Sequence, residues 1–285
     1  MFRAVIFTNI VKEKKGGEEM SLLQVSTYMQ SLSRQVTFQL LLPNDMPPEM
    51  IQGNKHYERP LKTLYLLHGF SGNHMDWLTG SQIQELSIAY NLAVVMPAGE
   101  NSFYLNGKGI GSAYETFVGE ELMDYCHKTF GLSNRPEDNF IGGLSMGGFG
   151  AIHTGLKYPQ RFSKMFGLSS AMIVHNIEKM EPGTSDAIAD YDYYVKTFGT
   201  LDQLENSENN PEYLIRKRKN AGETIQPIYM ACGTEDFLLQ ENRTFRDFLV
   251  EEGIHLTYQE SSGIHNWKFW NEYLEPAIVW LLEKA

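Results

Sequence analysis

The sequence predicts an α/β fold with a mostly parallel sheet and helices on both faces. Short apolar runs alternate along the chain with segments that carry apolar residues at helical spacing, as parallel strands joined by crossover helices require. One apolar run breaks at Gly142-Gly143 and continues, after Ser145, into a small-residue segment that suits a helix. Candidate polar residues also follow predicted strands directly, and the active sites of parallel sheets lie at that edge.

Two strands precede this alternation in the first half of the chain. Strand-like alternation predicts the early strands, and wholly apolar runs predict buried ones. The predicted elements are strands at Leu22–Tyr28 and Gln35–Leu42, a proline-bearing surface loop at 44–60, a strand at Leu61–Leu67, a helix at Ile83–Tyr90, a strand at Leu92–Met96 and a long helix at Ala113–Phe130.

The second half continues the alternation and is interrupted once. Its predicted elements are the strand around Phe140-Ile141 with the helix after Ser145, strands at Phe162–Leu168, Pro227–Cys232 and Ile254–Tyr258, and helices at Phe237–Glu252 and Phe269–Glu283. Between about residues 172 and 224 the pattern loosens around an aromatic cluster, which consists of Tyr191, Tyr193, Tyr194 and Phe198. This insertion is interpreted either as a cap over the site or as a surface excursion whose aromatic residues pack locally, and both interpretations stay open. Residues 20–285 are predicted to form a single domain.

The first 19 residues differ from the rest of the chain. Lys14-Lys-Gly-Gly-Glu-Glu19 precedes an internal methionine, Met20, and has the composition expected from translated ribosome-binding-site-like codons. We therefore expect residues 1–19 to be a non-native or disordered extension. Mass spectrometry of the natively expressed N-terminus tests this, and peptides recovered from residues 1–19 would contradict it.

Composition argues against several classes of function. The chain has 24 Lys and Arg against 35 Asp and Glu, a formal net charge of −11. An acidic chain without a basic stripe is a poor candidate for binding nucleic acid or an anionic membrane. No run approaches the ~18 apolar residues of a membrane span, and two cysteines do not make a disulfide framework. Without a convincing signal peptide, a cytoplasmic location is expected.

The turn after Phe140-Ile141 carries the pattern Gly143-x-Ser145-x-Gly147, which is the nucleophile-elbow pattern when a strand precedes it and a helix follows. Glycines allow the sharp turn and the close backbone approach that present the serine hydroxyl at the helix start. The N–H of Met146 would then point to a developing oxyanion. The alternative is a glycine-rich turn with an inert serine.

A serine nucleophile needs a base, and His265 is the favoured candidate among eight histidines. Gly263-Ile-His265 follows the last predicted strand, at the sheet edge where the elbow opens. Five others are expected to be structural or remote from the site: His153 in the elbow helix, His255 in a strand, His127 in a helix, His56 in a loop and His175 in the insertion. A substrate role is left open for His175.

The orienting acid is expected between serine and histidine in chain order. Cys232-Gly-Thr-Glu-Asp236 places two carboxylates just past a strand end, and a carboxylate three residues beyond the glycine can fold back. This selects Asp236, with Glu235 as the alternative. The alternative is a purely structural role, in which Asp236 caps the predicted helix Phe237–Glu252 that follows it.

The second oxyanion donor is expected in the loop after the third strand. His68-Gly69-Phe70 begins that loop, and the N–H of Phe70 is the best partner for that of Met146. His68 itself is expected to shape the loop rather than transfer protons.

Six motifs, in order, resemble those of the esterase D-like group of α/β-hydrolases, and most of all bacterial tributyrin esterases. They are His68-Gly-Phe-Ser-Gly-Asn-His-Met-Asp-Trp77, Met96-Pro, Asn101-Ser-Phe-Tyr104, Gly143-Leu-Ser-Met-Gly-Gly148, Cys232-Gly-Thr-Glu-Asp-Phe-Leu238 and His265-Asn-Trp-Lys-Phe-Trp270. The resemblance spans roughly residues 22–282. It implies an α/β-hydrolase fold, the triad Ser145, Asp236 and His265, and no metal or organic cofactor.

The expected function is hydrolysis of short-chain acyl esters, acetyl to butyryl, by a serine carboxylesterase. Trp77, Tyr104 and the aromatic residues of the insertion are expected to line the alcohol side, since the resemblance places them near the site. The alternatives are a feruloyl or acetyl-sugar esterase acting on an acylated sugar, an acyltransferase, and an S-formylglutathione hydrolase. The formylglutathione enzymes usually carry a histidine where this chain has Leu144. A non-catalytic binding protein would be expected to have lost a triad member, and assembly as a homo-oligomer is left open.

Overall fold

A computed structural model describes residues 5–7, 20–44 and 46–283. The nine strands in these ranges are β1 Val5–Phe7, β2 Ser21–Met29, β3 Arg34–Leu42, β4 Lys62–Leu67, β5 Leu92–Pro97, β6 Asn139–Leu144, β7 Lys164–Leu168, β8 Ile228–Gly233 and β9 Leu256–Ser261. They form one sheet with the order β1-β2-β3-β5-β4-β6-β7-β8-β9. Strands β1, β2, β3 and β5 pair antiparallel, and the pairs from β5 through β4 to β9 are parallel. The predicted mostly parallel α/β sheet is confirmed.

Helices connect the parallel strands and cover both faces. They are α1 Pro48–Ile51, α2 Asp76–Gly80, α3 Ile83–Ala89, α4 Tyr114–Thr116, α5 Leu122–Phe130, α6 Met146–Lys157, α7 Val174–Ile177, α8 Tyr191–Phe198, α9 Pro211–Asn220, α10 Leu239–Glu251 and α11 Trp267–Leu282. A π-helical turn at Phe117–Glu121 joins α4 to α5, so the predicted long helix has a wider turn inside it. Short 3₁₀ helices lie at Lys55–Tyr57, Pro136–Asp138 and Leu201–Asn206. None of the helices in these ranges is long and apolar enough to cross a membrane.

The core lies on both faces of the sheet because successive side chains of a strand point to opposite sides. In β4, Tyr65 and Leu67 join the cluster formed with α5, α6 and α10, whereas Leu64 and Leu66 join the cluster formed with α3 and α11. Burial on both faces explains why the central strands are apolar runs without alternation.

The loosened segment between β7 and β8 is largely helical, although the sequence pattern gave no helix bounds there. It contains α7, α8, α9 and the third 3₁₀ helix. Tyr194 and Phe198 of α8 are 0% and 1% exposed and belong to the main core. Phe198 contacts Phe103 and Phe149, with ring centroids 4.8 and 5.6 Å apart. The insertion is therefore anchored to the body of the domain, and its role as a cap stays a prediction.

The N-terminal extension contributes one strand that the sequence did not predict. Val5–Phe7 forms β1 at the sheet edge and pairs with Gln24–Ser26 of β2. Residues 1–4 and 8–19 lie outside the described residues, so the expectation of disorder there falls outside them as well. The expectation that residues 1–19 are not native stays a prediction.

Candidate active site

The elbow between β6 and α6 has the strained geometry that its sequence pattern predicts. Ser145 follows β6 directly, with φ 54° and ψ −120°, and α6 begins at the next residue. Such a backbone conformation is costly for a residue with a side chain and persists only where surrounding structure enforces it. A Cβ on Gly143 would lie 2.3 Å from the Gly147 carbonyl oxygen, and one on Gly147 would lie 2.3 Å from that of Leu67. Both glycines are needed because backbone fills the space of their side chains.

The structure brings His265 to Ser145. The imidazole Nε2 lies 3.0 Å from the Ser145 hydroxyl oxygen. Nδ1 faces Asp236, at 2.9 Å from Oδ2 and 3.1 Å from Oδ1. A proton on Nδ1 that is donated to the carboxylate leaves the Nε2 lone pair to accept the serine proton.

Aromatic rings and a helix cap hold the imidazole in place. Its ring packs against Phe237 and Trp270, with centroids 4.6 and 5.0 Å away. Asn266, the next residue, caps α11 by accepting from the Phe269 N–H at 3.1 Å. His265 is therefore fixed by the rigid start of the last helix.

Asp236, not Glu235, is the carboxylate that reaches the imidazole. Its side chain is buried, and Oδ1 also accepts from the Leu238 N–H at 2.9 Å. Burial favours a higher pKa for this carboxyl, but the hydrogen bonds from His265 and Leu238 outweigh it and lower the pKa below its ordinary value. Glu235 is exposed and instead accepts from the Gly263 N–H at 2.6 Å, so it braces the loop that leads to His265.

The loop after β4 lies against the elbow. A Cβ on Gly69 would be 3.4 Å from Ser145 Cβ and 2.8 Å from Leu144 Cδ1, so the loop that carries Phe70 passes close to the nucleophile. In the described part of the chain, the N–H groups of Phe70 and Met146 donate to no protein acceptor. Two free amides beside a serine hydroxyl could stabilise an oxyanion.

His68 shapes this loop, as the sequence predicts. Its Nδ1 lies 2.7 Å from the Gly69 carbonyl oxygen, and its Nε2 accepts from the Gly99 N–H at 2.8 Å. Burial lowers the pKa of His68, so the neutral ring joins the two loops that follow β4 and β5.

The expectation that Trp77 and Tyr104 line the alcohol side is wrong, because both side chains are in the interior. They are 1% and 0% exposed. The Trp77 indole donates to the Leu67 carbonyl at 3.0 Å, and the Tyr104 hydroxyl donates to the His68 carbonyl at 3.1 Å. Through these hydrogen bonds, both buried side chains support the backbone where the loop after β4 begins. The sequence marks them as aromatic and near a motif but does not indicate which way they point.

One aromatic residue near the site was missed as a candidate. Phe237 is 64% exposed and contacts His265, so it lies at the surface of the site. The signal was present, since Phe237 directly follows the selected acid. Tyr193 of α8, one of the insertion aromatic residues expected near the site, packs its ring against Phe70.

The other histidines with described contacts lie elsewhere. His153 is fully buried and hydrogen-bonds the Glu208 carbonyl at 2.8 Å, and His175 pairs with Glu212 at 2.9 Å. His127 contacts the Leu132 carbonyl at 2.7 Å. His255 precedes β9 rather than lying inside it.

Comparison with known proteins decides the family. Residues 29–281 match the family model described as "Putative esterase". The chain belongs to this esterase family. The acetyl esterase of Caldicellulosiruptor saccharolyticus is 44% identical over 262 residues, which cover 92% of this chain and 98% of that protein. This esterase is therefore a serine ester hydrolase whose substrates are small-molecule esters.

Solved structures place the esterase in the α/β-hydrolase superfamily, within its esterase D-like group. FphF, a fluorophosphonate-binding serine hydrolase of Staphylococcus aureus, is 27% identical with a TM-score of 0.79 over 93% of this chain and 99% of that one. The S-formylglutathione hydrolase FrmB of the same organism is 28% identical with a TM-score of 0.77 over 93% of this chain and 100% of that one. The resemblance to the esterase D-like group and the predicted enzyme class, a serine ester hydrolase, are confirmed.

Proposed function

We propose that this esterase hydrolyses short-chain acyl esters, acetyl to butyryl, through an acyl-enzyme on Ser145. The observation that carries the proposal is that His265 contacts both other residues of the candidate triad. Its Nδ1 lies 2.9 Å from Asp236 Oδ2, and its Nε2 lies 3.0 Å from the Ser145 hydroxyl oxygen. A serine is a poor nucleophile until a base takes its proton, and here the base lies within hydrogen-bond reach.

Acylation would begin when Nε2 of His265 takes the Ser145 proton as the oxygen attacks the ester carbonyl. The negative charge on the carbonyl oxygen would be held by the amides of Phe70 and Met146. Removing one such donor typically costs about 10²–10³ in rate, so these two amides are a large part of the mechanism. The alcohol leaves after His265 returns the proton to its oxygen.

Deacylation repeats these steps with water as the nucleophile and Ser145 as the leaving group. Asp236 holds the imidazole in the productive tautomer and stabilises its positive form in both halves. Its lowered pKa supports this role, since the carboxylate stays charged across the neutral range.

Similarity to the acetyl esterase supports a short acyl group. That relative shares 44% identity over almost its whole length. The similarity to an S-formylglutathione hydrolase is weaker, at 28% identity. Residue 144, before the serine, is a buried leucine rather than the histidine usual in those enzymes, which favours the carboxylesterase.

The test is a ladder of p-nitrophenyl esters (acetate, butyrate, octanoate and ferulate), with S-formylglutathione assayed alongside, for wild type and Ser145→Ala. Turnover that peaks at acetate or butyrate and disappears in the variant is expected. A preference for ferulate or S-formylglutathione would reassign the substrate. Equal rates in both proteins would exclude Ser145 as the nucleophile.

We further propose that the protein works in the cytoplasm. Cys126 and Cys232 are buried free thiols, which fits a reducing compartment. Fractionation of the native cells with an antibody against the protein tests this, and recovery from the culture medium would contradict it.

A further inference from the structure

Helix α8 of the insertion contacts both loops that surround the proposed oxyanion site. The ring of Tyr193 packs edge-on against Phe70, with centroids 5.8 Å apart and an interplanar angle of 85°. The Tyr193 hydroxyl donates to the backbone carbonyl of Asn101 at 2.6 Å. One side chain thus connects the insertion to the loop after β4 and to the loop after β5.

Asn101 extends this contact to the turn that carries Phe70. Its side-chain oxygen accepts from the Ser71 N–H at 2.7 Å. The turn is closed by the Gly72 N–H, which donates to the Gly69 carbonyl at 3.1 Å. Ser71 has φ 64°, a positive value at the third position, as in a type II turn. That position favours glycine, so a serine there needs support from outside the turn.

The turn has little freedom beside the nucleophile. A Cβ on Gly69 would lie only 2.8 Å from Leu144 Cδ1 and would be in van der Waals contact with Ser145 Cβ at 3.4 Å. The bond from Ser71 to Asn101 fixes the orientation of the peptide between Phe70 and Ser71. A rotation of the turn would move the Phe70 N–H, and an oxyanion donor is effective only within about 2.7–3.1 Å of the charge.

We propose that Tyr193 is a positioning residue for the oxyanion hole, acting through Asn101 and Ser71 to hold the Phe70 amide where negative charge develops. This inference rests on the proposed function, because it requires Phe70 to be an oxyanion donor. It makes the insertion a part of the catalytic assembly rather than a surface excursion.

The neighbouring residue provides a matched control. The Tyr194 hydroxyl pairs with Asp186 at 2.9 Å, inside the insertion. Tyr193→Phe and Tyr194→Phe remove the same atom from adjacent positions of α8, but only the first breaks the connection to Asn101. Helix α8 stays anchored in both variants through Phe198 and through the Lys196 carbonyl, which accepts from the Lys108 N–H at 2.8 Å.

The first measurement is steady-state hydrolysis of p-nitrophenyl acetate, with thermal unfolding to check the fold. We expect Tyr193→Phe to lower kcat about tenfold, a fraction of the 10²–10³ lost with a whole oxyanion donor, and to leave KM within about twofold. Tyr194→Phe should retain the wild-type kcat. Equal kcat values for the two variants, or a change in KM alone for Tyr193→Phe, would overturn the proposal.

The second measurement uses butylboronic acid, whose serine adduct is a tetrahedral anion. We expect its inhibition constant to rise for Tyr193→Phe by the same factor as kcat/KM falls, because both depend on oxyanion binding. An unchanged inhibition constant would contradict the inference.

A double-mutant cycle tests the route through Asn101. If Tyr193 acts through that residue, Asn101→Ala and Asn101→Ala/Tyr193→Phe should have the same kcat. Additive losses would exclude this route. Failure of the proposed function itself is distinguishable, because Ser145→Ala would then keep wild-type activity whatever residue 193 is.

Discussion

The side-chain amide of Asn242 forms hydrogen bonds with both the backbone N–H and the backbone carbonyl of Ser170. Its Oδ1 accepts from the Ser170 N–H at 3.1 Å, and its Nδ2 donates to the Ser170 carbonyl at 2.8 Å. Asn242 lies in α10 and is fully buried. The segment that it holds follows β7 and contacts the elbow, since the Ala171 N–H donates to the Ser145 carbonyl at 3.0 Å. A helix remote in sequence thus fixes the chain beside the nucleophile.

Asn242→Ala should destabilise the fold and loosen the elbow. It leaves the buried N–H of Ser170 without a partner, whereas the Ser170 carbonyl still accepts from the Met172 N–H at 2.9 Å. The free energy of unfolding should therefore fall by about 1–3 kcal/mol. Urea unfolding measures this loss. Asn176→Ala is the control, because the Asn176 amide donates only to Glu241 in an exposed contact. Equal losses in the two variants would contradict the assigned role.

Gly147→Ala should abolish most activity, because the new methyl group would lie 2.3 Å from the Leu67 carbonyl oxygen and 2.5 Å from that of His68. Both oxygens belong to the backbone, so they can make room for the methyl group only if the elbow or the neighbouring strand end moves. Gly155→Ala in the same helix is the matched control. Its methyl group would meet the flexible end of Met165 at 3.0 Å, and alanine favours a helix by up to about 1 kcal/mol over glycine. Esterase assays and thermal unfolding of both variants test the pair, and an active, stable Gly147→Ala protein would refute the prediction.

The positions of the strands and the three candidate triad residues could be predicted because each depends on local sequence. The strand β6, the glycines of the elbow and the residues after β8 and β9 all carry short-range signals. Parallel strands then place their carboxyl ends at one edge, so Ser145, Asp236 and His265 had to be near one another. The last strand was predicted at Ile254–Tyr258 but lies at Leu256–Ser261, because its polar end pairs with Gly233 and carries no apolar pattern.

Side-chain direction and the insertion could not be predicted in the same way. Trp77 and Tyr104 point inward because backbone carbonyls of Leu67 and His68 accept their polar atoms, and these contacts form only in the folded chain. Helix α9 contains the cationic run Arg216-Lys-Arg-Lys219, which is typical of a solvated helix face, but its start at Asn210 and Pro211 was not recognised.

His153 should make the fold sensitive to acid. Burial lowers its pKa from 6.5 to about 4, so the unfolded chain binds a proton there at a higher pH than the folded protein does. Stability from this group is therefore complete above pH 6.5 and is lost as the pH falls toward 4, by up to about 3 kcal/mol. Glu115, 3.9 Å away, has a pKa raised by burial and acts in the opposite direction.

Urea unfolding of wild type and His153→Gln between pH 7 and 4 isolates this contribution. Glutamine can still donate to the Glu208 carbonyl but does not titrate. The difference in unfolding free energy between the two proteins should change by the amount lost from His153. A pH-independent difference would show that His153 does not titrate as its burial requires.

Asp236→Asn should reduce kcat by about 10⁴, the loss typical of a triad whose acid becomes an amide. The amide keeps the size of the side chain but can donate to Nδ1, which favours the imidazole tautomer that has its proton on Nε2. That tautomer cannot accept the proton of Ser145. Glu235→Gln is the matched control, because its carboxylate is adjacent in sequence yet contacts the loop at Ser262 and Gly263 rather than the imidazole. Assays with p-nitrophenyl acetate should show a far smaller loss for Glu235→Gln, and the reverse order would assign the acid to Glu235.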